Sequence, residues 1–278
     1  MSANPTQIVT YRDLIRGLRQ LDLPRPAAVI AHASLSAFGQ VNGGASTVIG
    51  ALLSCVDTLI MPTFTFKTEL IPEVGPKNNG LIYGSGKDTN RMAEFYTPQM
   101  PADTLMGVVA ETLRLMPAAK RSSHPILSFS GINATAALQS QTLQDPLAPI
   151  GFLAEQNGWV LLLGVDHSVN TSIHYGEKLA GRKQFLRWAI TPDGANKCRA
   201  QECPSYPGCS DGFQAISPRL DEVSRRVVIG QAVVQAIPLI ELLSAVQATL
   251  AEDPLALLCG RVDCARCISV RIEVEGKQ

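Results

Sequence analysis

The sequence predicts an α/β fold: a central mixed or mostly parallel sheet flanked by helices, with a long insertion near residues 67–103. Three observations predict it. First, "AAVIAHASL", "GGASTVIGALLSCV" and "TLIMPTFTF" read as strand, helix and strand, a βαβ opening that favours parallel pairing. Second, "GWVLLLGV" is the clearest buried strand of the chain, and "TSIHYGEKLAG" behind it reads as a helix with Gly181 near its end. Third, no repeat, low-complexity tract or convincing linker divides the 278 residues. They read as a single domain, 1–278, with a cysteine-bearing C-terminal region.

The remaining elements follow in order. "TYRDLIRGLRQLDL" starts with Thr10 as N-cap and Asp13 three residues on, a capping-box variant, with Leu14, Leu18 and Leu21 at helical spacing. Residues 67–103 are rich in Gly, Pro and Asn; an excursion this long in a compact domain suits a substrate lid or wall. "TLMGVVAETLRLM" is a helix, and "KRSSHPILSFSGIN" a turn and a strand. Residues 189–217 read as loop, and 222–253 mix a strand with a helix.

Composition removes several classes of function. Lys+Arg and Asp+Glu number 24 each, so no basic field invites nucleic acid or an anionic membrane surface. No apolar run is long enough to span a bilayer, and "MSANPTQIVTYRDL" lacks the pattern of a signal peptide. These features read as a cytoplasmic protein. Its oligomeric state is left open.

Three stretches carry candidate chemistry. In "HASLSAFGQVNGGASTVIGAL", residues 32–52, a strand runs through a Gly/Ser loop into a helix, a candidate pyrophosphate cradle or an ordinary turn. No Walker or Rossmann glycine pattern is present. In "RSSHPILSFSG", Arg121 can pair with phosphate, or the stretch is a polar turn. In "HYGE", His174 and Glu177 lie one helical turn apart on one face, where a carboxylate can orient an imidazole as a general base. A buried structural histidine is the plain alternative. A metal set of His167, His174 and Glu177 is another, although its spacing matches no zinc pattern. No G-x-S-x-G elbow supplies a serine nucleophile, so the nucleophile would come from the substrate.

Six of seven cysteines fall in two clusters. C-x5-C at 203/209 and C-x4-C-x2-C at 259/264/267 can bring four thiolates together; the expected set is Cys203, Cys209, Cys264 and Cys267, holding a structural zinc. A group of free thiols is the other reading.

Taken together, "HASLSAFGQVNGGASTVIGAL", "MPTFTF", "MGVVAETLRLMPAAKRSSHPILSFSGINATA" and "LLLGVDHSVNTSIHYGE" resemble, in order and spacing, the aminoglycoside 3-N-acetyltransferase family over about residues 10–190. The resemblance implies a transferase, with a fold distinct from the GNAT acetyltransferases, that moves acetyl from acetyl-CoA to an aminoglycoside amine and so confers antibiotic resistance. It places the catalytic base on His174 and its support on Glu177. It places coenzyme A along His32, Ser34, Leu35 and Ser36, with Thr63, Met106, Gly107 and Val108 nearby; Arg121, able to pair with phosphate, is the candidate at the coenzyme's phosphates. Ala33 stands where the family pattern prefers Ser, and residues 67–103 do not align cleanly. A polycationic acceptor calls for an acidic wall, for which Asp88, Glu94, Asp103 and Asp166 are the candidates. Two further readings stay open: acetyl transfer to another amine, such as an amino sugar, nucleotide or antibiotic intermediate; and, in a different class, a metal-dependent hydrolase or a non-catalytic coenzyme A-binding protein.

Overall fold

In a computed structural model of the chain, residues 8–194 and 197–276 are described. The leader reading of the N-terminus rests partly on residues 1–7, outside that range. Ten strands are present among the described residues: β1 Ala28–Ala33, β2 Thr58–Pro62, β3 Glu69–Leu70, β4 Lys120–Arg121, β5 Phe129–Ile132, β6 Trp159–Leu163, β7 Phe185–Pro192, β8 Cys198–Ser205, β9 Arg225–Ile229 and β10 Ala232–Pro238. Seven form the main sheet in the order β4-β5-β2-β1-β6-β10-β9. Its centre, β2-β1-β6, is parallel, and the strands outside it pair antiparallel. The expected mixed sheet flanked by helices is the observed one.

Alternation along the strands builds two cores. Val29, Ala31, Leu59, Met61, Leu161 and Leu163 face one way, against helices Tyr11–Gln20, Gly44–Leu53 and Gly107–Leu115. Ile30, Ile60, Val160, Leu162 and Ile237 face the other, against helices Ala148–Glu155, Thr171–Leu179 and Leu239–Glu252. The first helix is closed by the expected capping box: Asp13 N–H donates to Thr10 Oγ1, and Thr10 N–H donates to the Asp13 carboxylate. Leu14, Leu18 and Leu21 are buried.

β1 lies between β2 and β6, so the connections leave it in opposite directions across the sheet. In open α/β sheets such a switch point opens a crevice at the carboxyl ends of the strands. The site lies there.

Two readings are corrected. Residues 189–217 hold most of a hairpin of two eight-residue strands rather than a loop: β7 and β8 pair from Phe185↔Ser205 to Pro192↔Cys198 and form a second sheet with β3. Along β7 every second residue is buried, but one is Arg187, whose guanidinium donates to the Asn79 and Leu186 carbonyls at 3.0 and 2.8 Å. A charged residue on the inner face, with mostly polar, exposed residues on β8, hides the alternation. Likewise, the single strand expected in 222–253 is a hairpin, β9 and β10, ahead of the helix; it adds antiparallel strands beside β6. No helix among the described residues is long and apolar enough to cross a membrane.

Candidate active site

The carboxyl ends of β1, β2 and β6 open into a cleft of about 950 Å³, at the upper end of the ~300–1,000 Å³ common for ligand sites. His32, Ser34, Leu35 and Ser36 line it after β1, Met61 and Pro62 at the end of β2, and Val165, Ser168 and Asn170 after β6. Helices Gly44–Leu53, Gly107–Leu115 and Thr171–Leu179 all present their N-terminal residues to it. Each adds the positive end of a helix dipole, so the cleft favours negative charge.

Two glycines set these helix starts. Gly43, at φ +77°, caps the first in the left-handed region. Gly107, at φ +79° and ψ 164°, opens the second in a region of backbone space occupied almost solely by glycine. That bend turns the chain so that Met106, Gly107 and Val108 line the cleft close to β1.

His174 also lines the cleft and is only 4% exposed. The helical i, i+3 spacing sets its Nδ1 2.7 Å from Glu177 Oε2. Glu177 is fully buried, and its other oxygen accepts from Arg182. Arg182 is itself fixed by the Pro254 and Ala256 carbonyls at 2.6 and 3.0 Å. By accepting from Nδ1, the Glu177 carboxylate favours the tautomer with the proton on Nδ1 and the lone pair on Nε2. Tyr206 stacks on the imidazole at 4.2 Å, and Phe213 meets it edge-on at 4.7 Å.

Burial pushes His32 down to about 3, and His124 and His167 to about 4. His124 Nδ1 accepts the Ile126 and Leu127 N–H groups and so closes a turn. His167 Nδ1 lies 3.3 Å from the Asn170 amide. His32 Nε2 is buried without a hydrogen-bond partner and borders the cleft.

A sequence model of the family described as aminoglycoside 3-N-acetyltransferase matches residues 30–251. The chain belongs to that family. It is 35% identical over 225 residues to aminoglycoside N(3)-acetyltransferase VII of Streptomyces paromomycinus, covering 76% of each chain. It is 33% identical over 178 residues to the SPbeta prophage-derived aminoglycoside N(3')-acetyltransferase-like protein YokD of Bacillus subtilis (strain 168), 60% of this chain and 64% of that one. Among solved structures, a histidine-to-alanine mutant of aminoglycoside acetyltransferase AAC(3)-IVa in complex with a gentamicin superposes with a TM-score of 0.78 at 23% identity, over 97% of this chain and 99% of that one. AAC-IIIb, solved as a binary complex with CoASH, superposes with a TM-score of 0.74 at 21% identity, over 88% and 97%. At these identities the two structures establish a shared fold.

Against the family pattern, several expected residues lie elsewhere. Thr63 is buried behind the wall: its hydroxyl donates to the Ser128 carbonyl at 3.2 Å and lies 3.1 Å from Ser130 Oγ. Arg121 spends its donors inside the protein, on Ser128 Oγ at 3.1 Å and on the Thr63, Pro98 and Met100 carbonyls. Its guanidinium also lies over the Tyr96 ring. Neither residue lines the cleft.

The acidic wall is also absent among the described residues. Asp88 sits on an exposed short helix, and Glu94 pairs with Lys67 at 3.4 Å. Asp103 caps the turn before Gly107, accepting from Leu105 N–H. Asp166 caps the turn at His167; the Ser168 hydroxyl holds its carboxyl below the usual range. Nor does the 67–103 excursion form a wall. The lining skips from Phe66 to Leu105, and the excursion instead packs on the second sheet through β3 and Asn79, which bonds Leu186. Among the described residues, the acidic or strongly basic side chains lining the cleft are Asp211 and Arg266.

The metal set of His167, His174 and Glu177 does not assemble: Glu177 is committed to Nδ1 and Arg182, and the one candidate group among the described residues is made of cysteines. That group is Cys209, Cys259, Cys264 and Cys267. Cys203 is corrected out of it. It is buried on the inner face of β8, its thiol 3.7 Å from the Arg187 carbonyl and pushed up to about 12 by burial. Sequence reasoning also missed Tyr206, Arg182 and Arg266. All three reach the site through contacts that no local motif encodes.

Proposed function

We propose that this chain is an acetyl-CoA-dependent N-acetyltransferase that acetylates an amino group of an aminoglycoside, with His174 as general base. The observation that carries the reading is the chain Arg182–Glu177–His174 ending at the cleft, with the lone-pair nitrogen of His174 left for a substrate proton. Family membership and the relatives' names support the same reaction.

The cleft suits acetyl-CoA. Glycine-opened helix starts and the Ser34–Ser36 loop offer N–H and hydroxyl groups to phosphates, and apolar Leu35, Val41 and Met61 suit the pantetheine chain. An acceptor ammonium first gives one proton to water, and His174 then takes a proton from the attacking amine. The amine nitrogen bonds to the thioester carbon, whose oxygen takes up the negative charge. The carbon–sulfur bond then breaks, and the coenzyme thiolate leaves with its electron pair, to be protonated by the imidazolium. N–H groups at Gly107 and Val108 are the donors assigned to the oxyanion, at about 2.7–4 kcal/mol for a well-placed donor. Attack is direct, so no acyl-enzyme is required.

A second acceptor class is favoured by one observation. Among the described residues the one carboxylate lining the cleft, Asp211, is paired with Arg261 at 2.9 Å, while Arg266 and three helix N-termini add positive character. An amine bearing fewer positive charges, such as an amino sugar or an amino nucleotide, fits that balance better than a polycation.

Release of coenzyme A thiol, measured with aminoglycosides, amino sugars and amino nucleotides for wild type and His174→Ala, decides between them. Aminoglycoside-dependent release lost in the variant supports the first reading. Release with the less charged amines alone moves the assignment to the second. Absence of coenzyme A binding overturns both.

A further inference from the structure

Four cysteines from two distant parts of the chain meet beside the cleft, and the proposed reaction uses none of them. Cys209 follows β8; Cys259, Cys264 and Cys267 lie around the start of the last helix, Ala265–Glu275. Their sulfurs all lie within 4.8 Å of one another. Cys209 and Cys267 stand 3.6 Å apart, close to the ~3.8 Å edge of a tetrahedron with Zn–S bonds of about 2.3 Å. Cys264 is the N-cap and Cys267 the N3 residue of that helix, positions whose side chains converge over the first turn. No side chain caps the helix by hydrogen bond, so the thiolates stand where its dipole stabilises negative charge. Three of the four are buried, and a buried thiol group this dense has few partners besides a soft cation or another sulfur.

We infer that Cys209, Cys259, Cys264 and Cys267 form a tetrathiolate zinc site that fastens the post-β8 loop to the C-terminal helix and thereby holds one wall of the cleft. The attachment is direct. Arg266, between two of the ligands, lies over the Tyr206 ring at 5.5 Å. Tyr206 in turn covers His174. Cys209, Ser210, Asp211 and Arg266 all line the cleft. The metal takes no part in acetyl transfer. The site stands or falls on metal content; only its bearing on His174 rests on the proposed function.

The test begins with metal analysis of protein purified under reducing conditions without chelator. One zinc per chain is expected for wild type and for Cys203→Ser, and loss of that zinc for Cys259→Ser. In case Cys259→Ser fails to fold, cobalt is added to chelator-treated wild type; the visible bands of tetrahedral thiolate cobalt are expected. Amide hydrogen exchange then compares the zinc-loaded and stripped forms, with faster exchange in the stripped form expected at residues 206–211 and 259–267. A metal-free protein that takes up neither zinc nor cobalt overturns the site, as does a disulfide between any two of the four found by mass spectrometry of native protein. Metal binding with unchanged exchange at 206–211 overturns the fastening role alone.

Discussion

Tyr206 lies flat on His174, with ring centroids 4.2 Å apart and planes 18° from parallel. The two residues stand on different structural layers, one on a helix over the main sheet and the other just past the second sheet. The stacked phenol shields one face of the imidazole from water, and its π-face suits the imidazolium of the proposed mechanism. Replacing Tyr206 by Leu keeps the apolar cover and removes the π-face. The expected result is a drop in kcat of about three- to thirtyfold, equivalent to roughly 0.5–2 kcal/mol for a partly desolvated cation–π contact. Steady-state kinetics beside His174→Ala measure it, and an unchanged kcat would refute the contribution.

His174→Gln and Glu177→Gln probe the proposed base. Loss of a general base lowers turnover by about 10²–10⁴-fold. His174→Gln is expected to fall in that range while the coenzyme A affinity changes little. Glu177→Gln keeps the shape but loses the charge that Arg182 and His174 share. It is expected to lower both kcat and thermal stability.

Arg182→Met strips a buried carboxylate of one of its two partners. Breaking such a pair costs about 3–5 kcal/mol. Urea unfolding should show a destabilisation of that order, with wild-type-like stability counting against the arrangement.

Arg121 makes a contrasting case, because its donors end on protein atoms. Arg121→Gln is expected to lower stability by about 2 kcal/mol, as lost charge-assisted hydrogen bonds do, and to leave the KM for acetyl-CoA within twofold of wild type. A rise in KM without loss of stability would return Arg121 to the phosphate-binding role.

Stability should depend on pH through three buried histidines. His32, His124 and His167 are held at about 3, 4 and 4 by burial, against about 6.5 in the unfolded chain. Between those limits the unfolded state binds more protons, so stability rises with pH there and is lost as pH falls below about 6.5. Urea unfolding from pH 4.5 to 7.5 is expected to show that slope, and His167→Gln to reduce it. A flat profile would mean that these rings are accessible to water.

Much of the main sheet was legible because its strands are short apolar runs and its helices carry local signals, such as the Thr10–Asp13 cap. The hairpin β7–β8 was not, since Arg187 occupies an inward position on β7 where alternation leads one to expect an apolar residue. At the site, His174 and Glu177 were readable because helical geometry places i and i+3 together. Tyr206, Arg182 and Arg266 were not, because tertiary packing alone brings them near. Charge misled in the opposite direction. Asp166 and Asp103 are acidic and adjacent to site residues in sequence, yet both serve as caps for turns. The cysteine set erred by one member: strand register points Cys203 inward, and Cys259 is the fourth member of the cluster.

The position of β1 between β2 and β6 also governs the order in which the chain can fold. Val29 pairs with Leu59 on one side, thirty residues on, and with Trp159 on the other, a hundred and thirty residues on. During synthesis the first βαβ unit therefore waits, with an unpaired apolar strand edge, until Trp159–Leu163 has emerged. Long-range parallel pairing of this kind is slow, and its open edges are prone to aggregate. A chain interrupted before residue 159 lacks the strand that completes the sheet's centre and leaves the β1 edge open.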